Sequence, residues 1–237
     1  MKKIGFMGAF DKSNFIIYAA KVLNLLDYKV LVVDTTSIQK MKYIIPSINP
    51  TKSYITSFEN IDFAIGFENW TEVERYLGIQ YDTNDDKQIE TKRKDLYDFV
   101  LIDIDSKNML EKFDVDSFEK KYFVTSFDTF ALKKGVSIFQ DLQKTINLTK
   151  IEFTYETSKE DEEYLNYISL EYNINWNDYI LYFQIMGEDN KVFEENQRLE
   201  KIKFKKLSID YKESLSYVIQ DICKTENINR IKKVMKD

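Results

Sequence analysis

Histidine is absent from this 237-residue chain, which removes the commonest general base and the commonest metal ligand from whatever chemistry it performs. Cysteine occurs once, as Cys223 on the apolar face of a helical segment, and reads as a packing residue in a reducing compartment. Six glycines and two prolines are too few to build linkers, and no repeat or shift of composition marks a boundary, so residues 1–237 are expected to form one domain. No apolar run approaches the roughly 18 residues a membrane span requires. Met1-Lys2-Lys3 leads straight into a strand-like run instead of a signal segment, and the cytoplasm is the expected location. A basic footprint is missing too. With a formal net charge of −6 and no cluster of lysines near the start, the chain lacks the surface that nonspecific nucleic-acid binding needs for counterion release.

Strand and helix patterns are plain where they occur. Lys3-Ile4-Gly5-Phe6 is a short apolar run, and Ile16, Ile17, Ala20, Leu23 and Leu26 follow at helical spacing over 13–26. Asp27-Tyr28 turns the chain into Lys29-Val30-Leu31-Val32-Val33-Asp34, the near-continuous apolar run of a strand buried on both faces in a parallel sheet. This is one βαβ unit. Between its first strand and its helix lies Phe6-Met7-Gly8-Ala9-Phe10-Asp11-Lys12-Ser13, a turn with a glycine and a terminal Lys-Ser in the position where loop and helix N–H groups cradle phosphates.

The run from Lys3 to Asp34 resembles the opening of the MinD/ParA family of deviant Walker A ATPases, with its K-G-G-V-G-K-[ST] loop, helix and K-V-L-L-I-D strand. The resemblance implies a Rossmann-like P-loop NTPase fold: α/β, with a mostly parallel central sheet and helices on both faces. Aligned without a gap, Gly8 takes the place of the first glycine of the pair, and Lys12 and Ser13 fall on the phosphate lysine and the magnesium hydroxyl. Met7 stands in place of the signature lysine that reaches a dimer partner's nucleotide, Ala9 and Asp11 replace glycines, and Phe6 replaces the outermost glycine. Asp11 is the gravest departure. A carboxylate about 4 Å from a phosphate repels it by about 4 kcal/mol at an effective dielectric of about 20, on the order of three decades in affinity. Its Cβ also resists backbone conformations that glycine adopts, and Lys12 could pair with it instead of with phosphate.

Later segments carry the same resemblance. Asp95 to Asp103 is similar to the family's Y-D-x-[VI]-[IL]-[IL]-D strand, which makes Asp103 the Walker B-type carboxylate. The continuation Asp103-Ile104-Asp105-Ser106-Lys107-Asn108 lacks the proline and glycine of the family's switch. Lys121 to Leu132 resembles the family's next strand and helix entry, with Phe127 in place of its proline. Lys150 to Tyr155 occupies the strand that ends, in the family, with an adenine-recognising asparagine, absent here. Lys191 to Arg198 is loosely similar to the segment before the last helix.

Acidic clusters at 82–86, Asp103/Asp105, Asp114/Asp116 and 160–163 are the remaining chemistry. The first and last read as solvated loops or helix starts, with Ser158 an N-cap and Glu160 to Glu163 in a first turn. Asp103 with Asp105 alone sits at a strand's carboxyl end, where α/β sites gather. Residues 214–223 and 227–235 place Leu215, Val218, Ile219, Ile222, Ile228, Ile231, Val234 and Met235 at helical spacing, and Lys224, Arg230, Lys232, Lys233 and Lys236 make the end basic. Such a terminus docks on the body or, as MinD's amphipathic tail does, lies on anionic lipid through 227–237.

The expected function is non-catalytic: a scaffolding or localisation protein of a larger pilus or secretion assembly, in the manner of the CpaE/TadZ branch, with a degenerate loop formed by Gly8, Asp11, Lys12 and Ser13 and no cofactor. Protein partners are expected. A homodimer, if formed, is expected to be independent of ATP, since apolar Met7 and Phe10 at the loop mouth suit a protein contact or a plugged pocket. The alternative is a slow ATPase that dimerises with ATP. There Lys12 contacts phosphate, Ser13 and Asp103 manage Mg²⁺, and Asp34 positions water. A third class is a DNA- or membrane-positioning adaptor.

Overall fold

The computed structural model describes residues 1–46, 53–78, 96–154 and 158–236. The acidic run 82–86, the first residue of the Asp95 to Asp103 match and the last of the Lys150 to Tyr155 match lie outside the described residues. Strands β1 (Lys2–Met7), β2 (Val30–Asp34), β3 (Tyr54–Phe58), β4 (Ile61–Ile65), β5 (Phe99–Ile104), β6 (Lys120–Ser126), β7 (Ile146–Phe153) and β8 (Ile174–Phe183) form one eight-stranded sheet in the order β3-β4-β2-β5-β1-β6-β7-β8. Every neighbouring pair is parallel except β3 with β4. The fold is the α/β architecture expected from the sequence.

Both faces of the sheet are covered, which is why the central strands are apolar along their length. One face carries α1 (Ser13–Leu25), the short α2 (Met41–Ile44), α7 (Gly187–Arg198), α8 (Ile209–Ile222) and α9 (Ile228–Val234). The other carries α3 (Trp70–Tyr76), α4 (Lys107–Lys112), α5 (Thr129–Ser137) and α6 (Lys159–Ser169). Ile16, Ile17, Ala20, Leu23 and Leu26 are all buried, as their spacing requires. At the start of α6, Ser158 accepts from the Asp161 N–H at 3.1 Å and the Asp161 carboxylate accepts from the Ser158 N–H at 3.3 Å, a reciprocal cap that begins where the sequence places it.

The β3-β4 hairpin has no counterpart in the sequence reading. Its turn residues Glu59 and Asn60 both have positive φ, 54° and 63°, the conformation of a two-residue turn matched to strand twist. Asparagine tolerates that region; glutamate does so only with support. Lys21 of α1 provides it, reaching the Glu59 carbonyl at 3.0 Å and its carboxylate at 2.7 Å.

The C-terminal apolar stripe is docked. Ile231 and Met235 are buried in the α1/α8 face and Val234 packs against it. Arg230 pairs with Asp27 and Glu226, and Lys232 with Glu213. Of the two alternatives for this terminus, docking on the body is the arrangement found over residues 227–236, where the apolar stripe is covered by protein. Among the described residues no helix is long and apolar enough to cross a membrane.

Candidate functional site

β1 ends at Met7 and the chain turns at once into a loop that leads to α1. Gly8 makes the turn with φ +137°, its N–H donating to the Ile104 carbonyl at 3.0 Å, and a Cβ there would lie 2.3 Å from the Val124 carbonyl oxygen. Only glycine fits that approach. Lys12 and Ser13 close the loop and open the helix, so loop, helix start and the carboxyl ends of β2 and β5 share one end of the sheet.

Lys12 turns inward. Its side chain is 1% exposed, with the ammonium 2.7 Å from Asp103 Oδ1 and donating to the Gly8 carbonyl at 2.9 Å. The contact with Asp103 is an ion pair without hydrogen-bond alignment at that oxygen. Burial pushes the Asp103 carboxyl up to about 7, opposed by the Lys12 charge and seconded by Asp34 and Asp105. Asp34 lies directly beside Asp103 in the parallel register of β2 with β5. It is fully engaged nearby, accepting from Thr36 N–H at 3.0 Å, Thr36 Oγ1 at 2.6 Å and Met41 N–H at 3.1 Å. Its carboxyl too is raised, by burial first, although these hydrogen bonds and Lys12 pull the other way. Thr35 Oγ1 donates to the Asp103 carbonyl at 2.6 Å, and Asp105 accepts from the Ser37 N–H at 2.9 Å.

Asp11 does something other than expected. It is paired with Lys40, just ahead of α2, and its second oxygen accepts from the Ser13 N–H at 3.2 Å. Burial alone would raise this carboxyl; the Lys40 pairing and the Ser13 hydrogen bonds bring it below its ordinary value. Lys12 pairs with Asp103 and not, as considered from sequence, with Asp11. The reason is reach and burial: an ammonium dragged below the loop by the helix start meets the β5 carboxylate, whereas Asp11 is half-exposed and faces the β2–α2 loop. The consequence for an anion is similar, because Asp11 now occupies an N–H at the start of α1 that a phosphate would use.

Of the two roles considered for the apolar loop residues, packing inside the protein is the one found. Met7 is fully buried in the α3/α5 face of the core, and Phe10 stacks on Phe153 at 4.6 Å, which stacks in turn on Phe183 at 4.6 Å. Met7 is therefore not offered to a partner at the loop mouth. Strand alternation explains it: the residue before Gly8 is still in β1 and its side chain points into the sheet's other face.

Glu152 is a polar residue that the sequence reading passed over. It lies at the carboxyl end of β7 opposite Thr125, is 0% exposed, and neither carboxylate oxygen has a hydrogen-bond partner among the described residues. Burial pushes it up to about 7, with Lys150 opposing and Glu162 and Asp161 adding. A glutamate between Ile151 and Phe153 in β7 was the available signal.

No protein-family model and no curated protein matches the sequence. Solved structures do match in shape. MinD cell division protein of Aquifex aeolicus superposes with a TM-score of 0.58 at 11% identity, covering 96% of this chain and 98% of that one. A plasmid partition protein of Borrelia burgdorferi bound to AMPPNP gives 0.54 at 15% identity over 98% and 97%. The MinC:MinD complex of Aquifex aeolicus gives 0.55 at 13% identity over 100% and 97%. At these identities the likeness is one of fold: the chain has the fold of the MinD/ParA P-loop ATPases.

Proposed function

We propose that this chain is a non-catalytic MinD/ParA-like protein that scaffolds or localises a larger cytoplasmic assembly of the pilus or secretion type, with a phosphate loop closed upon itself. The observation that carries the reading is Lys12, held by Asp103 and the Gly8 carbonyl. To meet a phosphate it must leave a buried carboxylate without its cation, and breaking such a pair costs about 3–5 kcal/mol, two to four decades of affinity. Asp11 and Phe10 add to the barrier, one by filling a helix N–H and the other by packing the loop against β7. The residues present do not fit a bound triphosphate in this arrangement. Partners are proteins, in keeping with the acidic net charge and with a structural relative, MinD, seen in complex with MinC. A homodimer, where formed, is independent of ATP.

The second reading is a slow ATPase that dimerises with ATP. What favours it is that Gly8, Lys12, Ser13, Asp34 and Asp103 converge on one end of the sheet, with Ser13 and Asp103 available to Mg²⁺ and Lys12 to phosphate once the pair opens. Calorimetric titration with ATP and Mg²⁺ separates the two. The proposal expects no heat of binding up to millimolar ATP. Binding at micromolar concentration, or dimerisation seen by light scattering only with ATP, replaces it with the enzymatic reading.

A further inference from the structure

The side-chain donors of Lys150, Thr125 and Tyr182 neighbour the buried Glu152 carboxylate, and each of them serves another acceptor. Strand alternation puts Lys150 and Glu152 on one face of β7, and Thr125 of β6 and Tyr182 of β8 are the register neighbours of Glu152. Thr125 Oγ1 donates to the Ser126 carbonyl at 2.8 Å, Tyr182 Oη to Glu162 Oε1 at 2.8 Å, and the Lys150 ammonium to Asn166 Oδ1 at 3.2 Å. Glu162 and Asn166 both belong to α6. The helix is thus seated on β7 and β8 by the groups that flank Glu152, while both oxygens of Glu152 go without a hydrogen bond. That is an arrangement for a neutral acid, not for an anion.

Among the described residues the charged groups acting on Glu152 are Lys150 on its own strand and Glu162 and Asp161 on α6. From β6 and β8 it meets the hydroxyl-bearing side chains of Thr125 and Tyr182. Lys150 is 5% exposed and its ammonium lies 5.2 Å from the Trp176 ring centroid, so it is committed to Asn166 and the indole. A charge on Glu152 upsets this balance. A buried anion without a partner is unfavourable, and the cation that relieves it is Lys150, two residues along the same face. Drawing Lys150 over gives up Asn166, and the new charge repels Glu162 and Asp161.

We propose that Glu152 is a proton-controlled latch for α6: the neutral carboxyl leaves Lys150 on Asn166 and the helix seated, and loss of its proton to solvent transfers Lys150 to Glu152 and loosens the amino-terminal half of α6. Opening uncovers Leu165, which is 0% exposed in the seated helix. Burial sets the working range, raising the carboxyl from 4.5 to about 7. Because the raised value belongs to the seated state, seating is favoured fully below 4.5 and is lost as pH rises through 7. Linkage between these two values multiplies the opening of α6 by roughly thirtyfold from pH 5.5 to pH 8.5. β6 separates β7 from β1, the strand that leads into the phosphate loop, and the latch does not depend on the state of that loop.

Amide hydrogen exchange of the full chain tests this, with protection factors corrected for the intrinsic effect of pH on exchange. In the parent, the amides of α6 up to Asn166 are expected to lose at least tenfold in protection between pH 5.5 and pH 8.5. At pH 8.5 they are expected to be at least tenfold less protected than those of β7 beneath them. Glu152→Gln is expected to hold the change in α6 below threefold. Lys150→Met is expected to move the midpoint of the loss upward by at least half a pH unit, since the charged carboxylate then has no cation to receive it. A parent profile flat in α6 overturns the proposal without any variant. Equal protection of α6 and β7 at pH 8.5 also overturns it, because the chain then opens as a whole, and so does a loss in Glu152→Gln as large as the parent's. A midpoint unmoved in Lys150→Met overturns the transfer of Lys150.

Discussion

The ammonium of Lys12 and the carboxylate of Asp103 lie 2.7 Å apart with both side chains 1% exposed, so the loop lysine is buried against the β5 carboxylate. Replacing Asp103 alone leaves a buried cation without its partner. Asp103→Ala is expected to cost about 3–5 kcal/mol in urea unfolding, and the double variant Lys12→Met/Asp103→Leu to recover most of it, because a well-packed apolar pair equals or exceeds a buried ion pair. Equal losses in single and double variants would show the pair to be energetically idle.

Asp11 holds the loop from outside. Ala9→Gly with Asp11→Gly frees the Ser13 N–H and the Lys40 ammonium and restores glycine's range to the loop, so affinity for ATP or inorganic phosphate is expected to rise at least tenfold over the parent. Gly8→Ala acts oppositely on the scaffold: with φ +137° and a Cβ 2.3 Å from a carbonyl oxygen, it is expected to destabilise by at least about 2 kcal/mol. Thermal unfolding with and without ligand measures both.

Glu152 and Asp103 make stability depend on pH in an unusual direction. Both carboxyls are raised to about 7 in the fold, so the folded state binds more protons than the unfolded chain between the ordinary carboxylate range and 7. Their contribution is complete below the unfolded pKa and lost as pH rises through 7. Glu152→Gln removes the Glu152 share. Relative to the parent, the variant is expected to gain on the order of 2–3 kcal/mol on going from pH 4.5 to pH 8, measured by denaturant unfolding at each pH. A parent-minus-variant difference that is flat across this range would dismiss the buried charge as a source of instability.

The docked C-terminus gives a further outcome. Ile231→Ala is expected to cost about 2–4 kcal/mol, as for other buried isoleucines. The parent protein is expected to remain in the supernatant when anionic vesicles are sedimented. Vesicle binding by the parent that Ile231→Ala abolishes would mean that α9 leaves the body to reach lipid.

Periodicity made the βαβ opening legible, since an apolar helix stripe from Ile16 to Leu26 and an unbroken apolar strand to Asp34 have few other ways to bury themselves. The family resemblance placed Asp103 near its strand end, and a serine ahead of an acidic first turn placed Ser158 at a helix start. Burial and spacing are local properties of a chain and are written in it. The direction of a long side chain is not: whether the Lys12 ammonium points to Asp11, to Asp103 or into a phosphate site is decided by which carboxylate the packed sheet brings within reach. Nor could local pattern show Met7 buried behind the loop, the hairpin turn at Glu59 and Asn60 held by Lys21, or the isolation of Glu152. Those depend on residues far apart in sequence, and Coulomb and hydrogen-bond energies are set by the distances between them that only the folded chain establishes.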